Sequence, residues 1–256
     1  MVESVLYGAL FLTSAVLLTL GAYFLMRKIM GAEQETHTKD LASSIIIRVS
    51  GLHGLILALV FAQEMIDYQQ LKYESAIETN AVADVYFDAE RYGKEAKLPI
   101  QEPLFAYVNE VVHKEWDHLG QTGRLTGQGW ADWDKAYSGI LDLVPVNDRQ
   151  KALRDHMLSQ IHVVAETRVK RENHSATSVS MMFWFAAISG VIIIAIAYFT
   201  FPPTRRNVVL LGLFGAFTGL ILFFIYAFEN PFSAPGRIDP AAHLRLLAQL
   251  EDFRSR

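Results

Sequence analysis

The fold of this chain is decided by residues 44–65, which read SIIIRVSGLHGLILALVFAQEM. An apolar run of this length forms a helix of about 30 Å, enough to cross the hydrocarbon core of a bilayer. Three more such runs occupy residues 4–26, 180–201 and 207–228. The chain of 256 residues is 52% hydrophobic and only 20% charged, which excludes a soluble enzyme. Because no barrel-like alternation occurs, the sequence predicts an all-α membrane protein with four transmembrane helices.

The apolar runs divide the chain into regions, with a helical extramembrane domain inserted between transmembrane helices 2 and 3. The predicted regions are transmembrane helices 1 and 2 at 1–66, the helical domain at 67–179, transmembrane helices 3 and 4 at 180–228, and a tail at 229–256. The inserted domain is expected to continue the flanking helices, with a glycine-rich loop from Gly120 to Gly129. In the tail, Asp239 and Pro240 are expected to open a short amphipathic helix.

The chain is weakly acidic, with a net charge of −4, and it has no cysteine. This charge gives no reason to expect a nucleic-acid partner, and without cysteine there are no disulfides or thiolate metal sites. Basic residues near span ends stay on the cytoplasmic side, which places the inserted domain outside, in the periplasm of a bacterium. The residues that favour this orientation are Arg27, Lys28, Lys39, Arg205 and Arg206, whereas Arg168, Lys170 and Arg171 argue against it.

Ionisable residues inside an apolar run are the first candidates for function, because burying them in hydrocarbon is costly. His53 and Glu64 are 11 positions apart, which on a helix leaves about 20° between them, so they share one face. This face is predicted to line a water-filled path through an assembly of protomers. The predicted pore-lining residues are His53, Leu57, Val60, Glu64 and Asp67. The alternative is that His53 bonds a neighbouring helix and Glu64 lies at the membrane interface.

Histidines and carboxylates in the inserted domain offer a weak metal site at His113, Glu115, Asp117 and His118. Histidines five residues apart point about 140° from each other on a helix, so a solvated helix surface is the favoured interpretation. We therefore expect no metal and no cofactor. Familiar catalytic spacings are missing from the sequence, so we expect no enzyme.

The fourth apolar run carries small residues at Gly212, Gly215 and Gly219. Glycines at this spacing allow two helices to approach closely, so this face is predicted to pack against another helix. The sequence leaves open whether that helix belongs to the same protomer.

The layout resembles that of the bacterial bestrophin-like family of four-span membrane proteins. The resemblance covers nearly the whole chain and rests on Tyr107, the pair Glu115-Trp116, the basic stretch at 168–171 and a motif at 229–234. The motif residues are Glu229, Pro231, Phe232 and Ser233, with Glu229 where the family tends to have Asp and Ala234 where it tends to have Gly. Kinship with bestrophins implies a homo-oligomer, pentameric by that analogy, which contacts membrane lipid and conducts anions.

Two functions from different classes fit these observations. The first is a homo-oligomeric ion channel in the bacterial inner membrane, which the resemblance and the His53 face favour. The alternative is a non-conducting scaffold or sensor whose outer helical domain binds a partner or ligand. A membrane enzyme would have only residues 113–118 in its support.

Overall fold

The structure is a computed structural model that describes residues 2–31, 36–176 and 179–255. None of these residues lies in a β-strand, so the predicted all-α class is confirmed. The α-helices are α1 Val2–Met30, α2 Thr36–Tyr92, α3 Lys94–Ala96, α4 Glu102–Glu110, α5 Trp116–Thr122, α6 Gly127–Leu141, α7 Asp148–Ala176, α8 Met181–Ala197, α9 Arg205–Glu229 and α10 Ala241–Ser255. The π-helical turns Lys97–Gln101 and Val111–Glu115 flank α4, and the 3-10 turn Tyr198–Thr200 follows α8.

Within the part of the chain that the structure describes, four helical segments are long and apolar enough to cross a membrane, by length and composition. They are Glu3–Met30, Thr38–Tyr92, Asp148–Thr200 and Arg205–Glu229. The third segment runs over residues 177–178, which lie outside the described residues. The predicted continuity of the inserted domain with this span, and its boundary at 179, therefore stay predictions. Helix α2 has 57 residues, so at about 1.5 Å per residue it is far longer than a bilayer core of about 30 Å.

The chain forms two compact units. The first unit comprises Met1–Ile66, Ser178–Glu229 and Ala234–Gly236, and the second comprises Asp67–Thr177, Asn230–Ser233 and Arg237–Arg256. The first unit thus holds α1, α8, α9 and the N-terminal part of α2. The second unit holds α3 to α7, α10 and the rest of α2.

In the first unit, α1 and α9 pack closely because α9 presents glycines to α1. A Cβ added to Gly215 would lie 2.8 Å from Oγ1 of Thr19, and one added to Gly219 would lie 2.7 Å from the carbonyl oxygen of Phe11. The partner helix of this face therefore belongs to the same protomer. Gly212 differs from the prediction, because a Cβ added there would meet no atom within 4 Å.

Replacing Gly219 by leucine should destabilise the first unit, because the new side chain would push α9 away from the backbone of α1. We expect a loss of about 1–3 kcal/mol, the usual cost of overpacking a close contact. The measurement is thermal unfolding in detergent. Gly212→Leu, on the same helix but in open space, is the control and should unfold like the parent protein. Equal unfolding of all three proteins would show that α1 and α9 do not pack through this face.

The core of the second unit is made from apolar stripes on α2, α4, α6, α7 and α10. Its fully buried members include Leu71, Val82, Val85, Leu104, Val108, Ile140, Met157, Ile161, Val164 and Leu250. Trp116 is a buried member of this core, with its ring centroid 5.0 Å from that of Phe232. Its Nε1–H donates to the carbonyl oxygen of Ile238 at 2.7 Å, so the indole is both packed and hydrogen-bonded.

The glycine-rich loop predicted from Gly120 to Gly129 is much shorter in the structure. Helix α5 includes Gly120 and ends before Gly123, which has φ 68°, and α6 begins at Gly127. Gly120 is needed inside the helix because a Cβ there would lie 2.7 Å from the carbonyl oxygen of Phe232. Gly120 therefore allows the backbone of Phe232 to approach α5 closely, and Gly123 ends that helix.

Candidate functional site

The predicted pore-lining face of α2 lies partly inside the first unit. His53 and Leu57 are only 6% and 5% exposed. Leu57 packs with Ala187, Leu222 and Ile225 of α8 and α9, and Val60 is partly buried against the same cluster. Glu64 and Asp67 are half-buried. In the protomer, the side chains of His53 and Leu57 thus face neighbouring helices and not an open surface.

His53 fits against α8 because that helix has glycine at position 190. A Cβ added to Gly190 would overlap the imidazole ring, with Nδ1 as its nearest atom. Nε2 of His53 is buried and has no hydrogen-bond partner among the described residues. His53 therefore contacts α8 by close packing of its ring. The hydrogen bond to a neighbouring helix that the alternative interpretation expected is absent among the described residues.

Gly190→Ala should weaken the first unit, because the added methyl group and the His53 ring cannot occupy the same space. We expect a lower midpoint of thermal unfolding in detergent. The double variant Gly190→Ala with His53→Ala should regain stability relative to Gly190→Ala alone, since the smaller side chain removes the overlap. If the two substitutions are simply additive, His53 does not pack on Gly190.

The opposite face of α2 is apolar and exposed in the protomer. Leu52, Leu55, Leu59 and Ile66 recur at intervals of three, four and seven residues and are 55–65% exposed. An exposed apolar stripe of this kind on a helix needs a partner of its own, which is lipid, another protein surface or a second protomer. In the protomer, His53 and Leu57 of the predicted pore-lining face are enclosed, whereas this opposite face is open.

The second unit contains a fully buried ion-pair cluster around Glu115. The Arg168 guanidinium pairs with both carboxylate oxygens of Glu115, with Nη1 at 2.8 Å from Oε1. Arg171 donates from Nη2 to Oε1 at 2.6 Å. The backbone N–H and the hydroxyl of Thr126 donate to Oε2 at 3.0 and 2.8 Å. Glu115 therefore joins α7 to the residue that caps the N-terminus of α6.

Arg171 extends this cluster to α2 and α10 through Glu78. Nη1 of Arg171 lies 2.7 and 2.5 Å from the two oxygens of Glu78. The hydroxyl of Tyr107 donates to Oε1 of Glu78 at 2.5 Å, and Nε2 of His243 lies 3.0 Å from the same oxygen. All these side chains are at most 1% exposed. The two carboxylates and the two guanidiniums balance in charge, which buried charges require.

The electrostatics of the cluster favour the ionised carboxylates. Burial by itself raises the pKa of the Glu115 carboxyl, but Arg171 and Arg168 outweigh it and hold that pKa below its usual value. Burial, together with the neighbouring Glu78 carboxylate, raises the pKa of the Tyr107 hydroxyl, so Tyr107 stays protonated and donates its hydrogen bond. Because no member is open to solvent, the cluster ties helices together and offers no surface to a substrate.

The charges of this cluster occupy core positions of otherwise apolar stripes. On α7 the buried positions run Met157, Ile161, Val164, Arg168 and Arg171, at alternating spacings of four and three. Glu78 lies in the same way within the α2 stripe between Leu71 and Val82. In the sequence, the arginines are interpreted as charges that flank a membrane span. Glu78 and His243 are not among the predicted site residues. The signal that could have found them is a charged residue at a core position of a helical stripe.

Arg171→Met should strongly destabilise the second unit, because it leaves the buried Glu78 carboxylate without its guanidinium. We expect a loss of about 3–5 kcal/mol, the usual cost of breaking a buried pair from one side. The matched control is Lys170→Met on the same helix, where the exposed lysine pairs with Glu166. That variant should unfold almost like the parent protein, because water screens an exposed ion pair. Equal losses in chemical unfolding of the intact protein would show that the cluster contributes no special stability.

The predicted metal candidates do not converge. Glu115 is occupied by the two arginines, and Asp117 pairs with Arg237 at 2.7 Å. Within the described ranges, no group of three or more histidines and acidic residues could hold a metal ion. The structure therefore separates these residues, because one side of this helical stretch faces the core and the other faces solvent.

The motif at 229–234 makes contacts in each unit. In the first unit, a carboxylate oxygen of Glu229 accepts from the backbone N–H of Val179 at 3.1 Å. In the second unit, Phe232 is buried against Trp116, and the carbonyl oxygen of Pro231 accepts from the N–H of Ile238 at 2.7 Å. Ser233 is half-buried, and its N–H donates to the carbonyl of Asn230 at 3.4 Å.

Comparison with known proteins identifies the family. Residues 13–243 match the Bestrophin-like domain family, so the chain belongs to the bestrophin-like family. A crystal structure of a bacterial bestrophin homologue from Klebsiella pneumoniae, which carries a mutation, has the same fold with a TM-score of 0.60 and 14% sequence identity. The match covers 97% of this chain and 99% of that one. No curated protein sequence matches the chain significantly. The family and the apolar helices together support a membrane protein.

Proposed function

We propose that this protein is the subunit of a homo-oligomeric ion channel and that the exposed face of α2 forms the wall of its pore. The observation that carries the proposal is an exposed apolar row on α2 of this bestrophin-like chain. The row consists of Leu52, Leu55, Leu59 and Ile66. If several protomers are arranged around a symmetry axis, their rows together form an apolar constriction. Such a constriction can close a channel to ions when water leaves it. This assignment moves the pore wall from the enclosed side chains of His53 and Leu57 to the opposite face.

The proposed arrangement has four transmembrane helices, with the second unit outside the bilayer and on the periplasmic side of a bacterial inner membrane. The basic connections that contain Arg27 and Arg205 support this orientation. The opposing Arg168 and Arg171 belong to a long folded domain, and such domains cross membranes largely regardless of their charge. Their position is also explained by the buried pairs with Glu115 and Glu78.

Two further parts of the proposal come from the family. The oligomer is a pentamer, and the conducted ion is an anion, both by analogy with bestrophins. The protein carries out no enzymatic reaction in this proposal. A non-conducting scaffold or sensor is the alternative function, and the following experiment separates it from the channel.

Cysteine labelling tests the pore face, since the chain has no native cysteine. Leu59→Cys should react with a charged, membrane-impermeant thiol reagent, because the pore brings water to that face. Leu213→Cys is the matched control, since Leu213 on α9 is 60% exposed and Leu59 is 63% exposed. Leu213 should contact lipid and stay unreactive. In reconstituted bilayers, labelling of Leu59→Cys should reduce the current.

The other outcomes are equally definite. If Leu59→Cys and Leu213→Cys are both unreactive and the parent protein passes no current, the scaffold function replaces the channel. Reactivity at Leu57→Cys, which is enclosed in the protomer, without reactivity at Leu59→Cys would return the pore to the His53 face. Current through the parent protein with no labelling at either position would place the pore elsewhere.

A further inference from the structure

A second feature of the first unit, separate from the pore face, is a groove of about 490 Å³ among α1, α8 and α9. Each helix contributes residues from one face, spaced by about four and then three positions, as in Trp184, Ile188 and Val191 of α8. Its rim includes Ser14 and Ile188, which are exposed, so the groove is open to the surroundings. The groove is therefore accessible from the membrane in which these helices lie.

The floor of the groove is apolar. Ala15, Val191 and Leu222 form it and are buried beneath the exposed rim. The stripe from Trp184 to Val191 extends for about 10 Å at 1.5 Å per residue. A floor of this length and character fits a segment of hydrocarbon chain, and bilayer hydrocarbon is the medium around the helices. The apolar part of the groove is therefore suited to an acyl chain.

One end of the groove is chemically different. The ring centroid of Phe11 lies 6.5 Å from that of Trp184 and 5.2 Å from that of Tyr226. Glu229 lines the same groove, on the face of α9 that carries Tyr226 three residues earlier. Aromatic faces attract organic cations, and a carboxylate accepts strong hydrogen bonds from an ammonium group. This end thus has the groups that recognise an ammonium ion.

The depth of this end also fits a lipid headgroup. Glu229 is the last residue of the apolar segment Arg205–Glu229, and Trp184 lies close to the start of α8. Tryptophan and tyrosine are typical of the boundary between hydrocarbon and headgroups. The acyl-chain floor and the ammonium-binding end are therefore arranged in the order in which a phospholipid presents its tail and head.

We propose that this groove binds a phosphatidylethanolamine molecule, with one acyl chain on the floor and the ammonium group against Glu229 and the aromatic rings. Ethanolamine is chosen over choline because only a primary ammonium donates hydrogen bonds to a carboxylate. The proposal rests on the membrane location of the helices in the proposed function and not on conduction. Failure of the channel assay would therefore leave it intact.

Quenching of tryptophan fluorescence by brominated lipids tests the proposal on the whole protein in vesicles. Of the four tryptophans, Trp184 belongs to the first unit, whereas the other three, at 116, 130 and 133, belong to the second. Brominated phosphatidylethanolamine in a phosphatidylcholine background should quench Trp184 beyond its mole fraction. Brominated phosphatidylcholine in a phosphatidylethanolamine background should not quench beyond its mole fraction. The affinity for phosphatidylethanolamine should exceed that for phosphatidylcholine about tenfold, as expected for one charge-assisted hydrogen bond. Trp184→Phe should remove the quenched component.

Substitutions separate the two halves of the groove. Glu229→Gln keeps an oxygen for the N–H of Val179 but loses the charge, so both lipids should quench equally. Ser14→Phe fills the open rim and should abolish the excess quenching by phosphatidylethanolamine. Thr13→Phe, at the adjacent exposed position outside the groove, should leave it unchanged.

Three results would overturn the proposal. The first is equal quenching of the parent protein by the two lipids at equal mole fraction. The second is an ethanolamine preference that persists in Glu229→Gln or in Ser14→Phe. The third is the absence of quenching by either lipid, which would show that lipid does not enter the groove.

Discussion

The guanidinium of Arg171 is the interaction on which the second unit depends. It is buried, and it bonds Glu78 of α2 and Glu115 at the end of a π-helical turn. A buried charge in this position needs its carboxylate partners, because its desolvation is costly. The requirement fixes the rotation of α7 about its axis. Tyr107 and His243 then complete the hydrogen bonds of Glu78, which brings α4 and α10 to the same point.

The first unit depends on glycine at the points where its helices contact each other. Between helices in hydrocarbon there is little hydrophobic driving force, so close van der Waals packing has to hold them together. Gly215 and Gly219 let α9 approach the backbone of α1, and Gly190 makes room for His53. The histidine that stands out in the sequence is thus a packing residue in the protomer.

Once His53 and Leu57 are packed inward, helical geometry turns Leu52, Leu55 and Leu59 outward. The same packing leaves a groove among α1, α8 and α9 with Glu229 at one end. Because the outward row of α2 and the groove involve different residues, the proposed conduction and the proposed lipid binding can be altered independently. In the proposed lipid site, the motif residue Glu229 would also hold the ammonium group.

Composition, the length of the apolar runs and a short motif were enough to predict the helical class, the four apolar segments and the family. It also indicated that Gly215 and Gly219 allow close packing, since small residues have this effect in any partner context. The packing of the helices was needed to show which side of α2 is enclosed in the protomer and which carboxylates the arginines of α7 meet. A helix periodicity shows that His53 and Leu57 share a face, but not whether that face meets a helix or water. Likewise, the sequence does not show that Arg168 and Arg171 are buried. Their partners Glu115 and Glu78 are distant in sequence and come within hydrogen-bonding distance only in the folded chain.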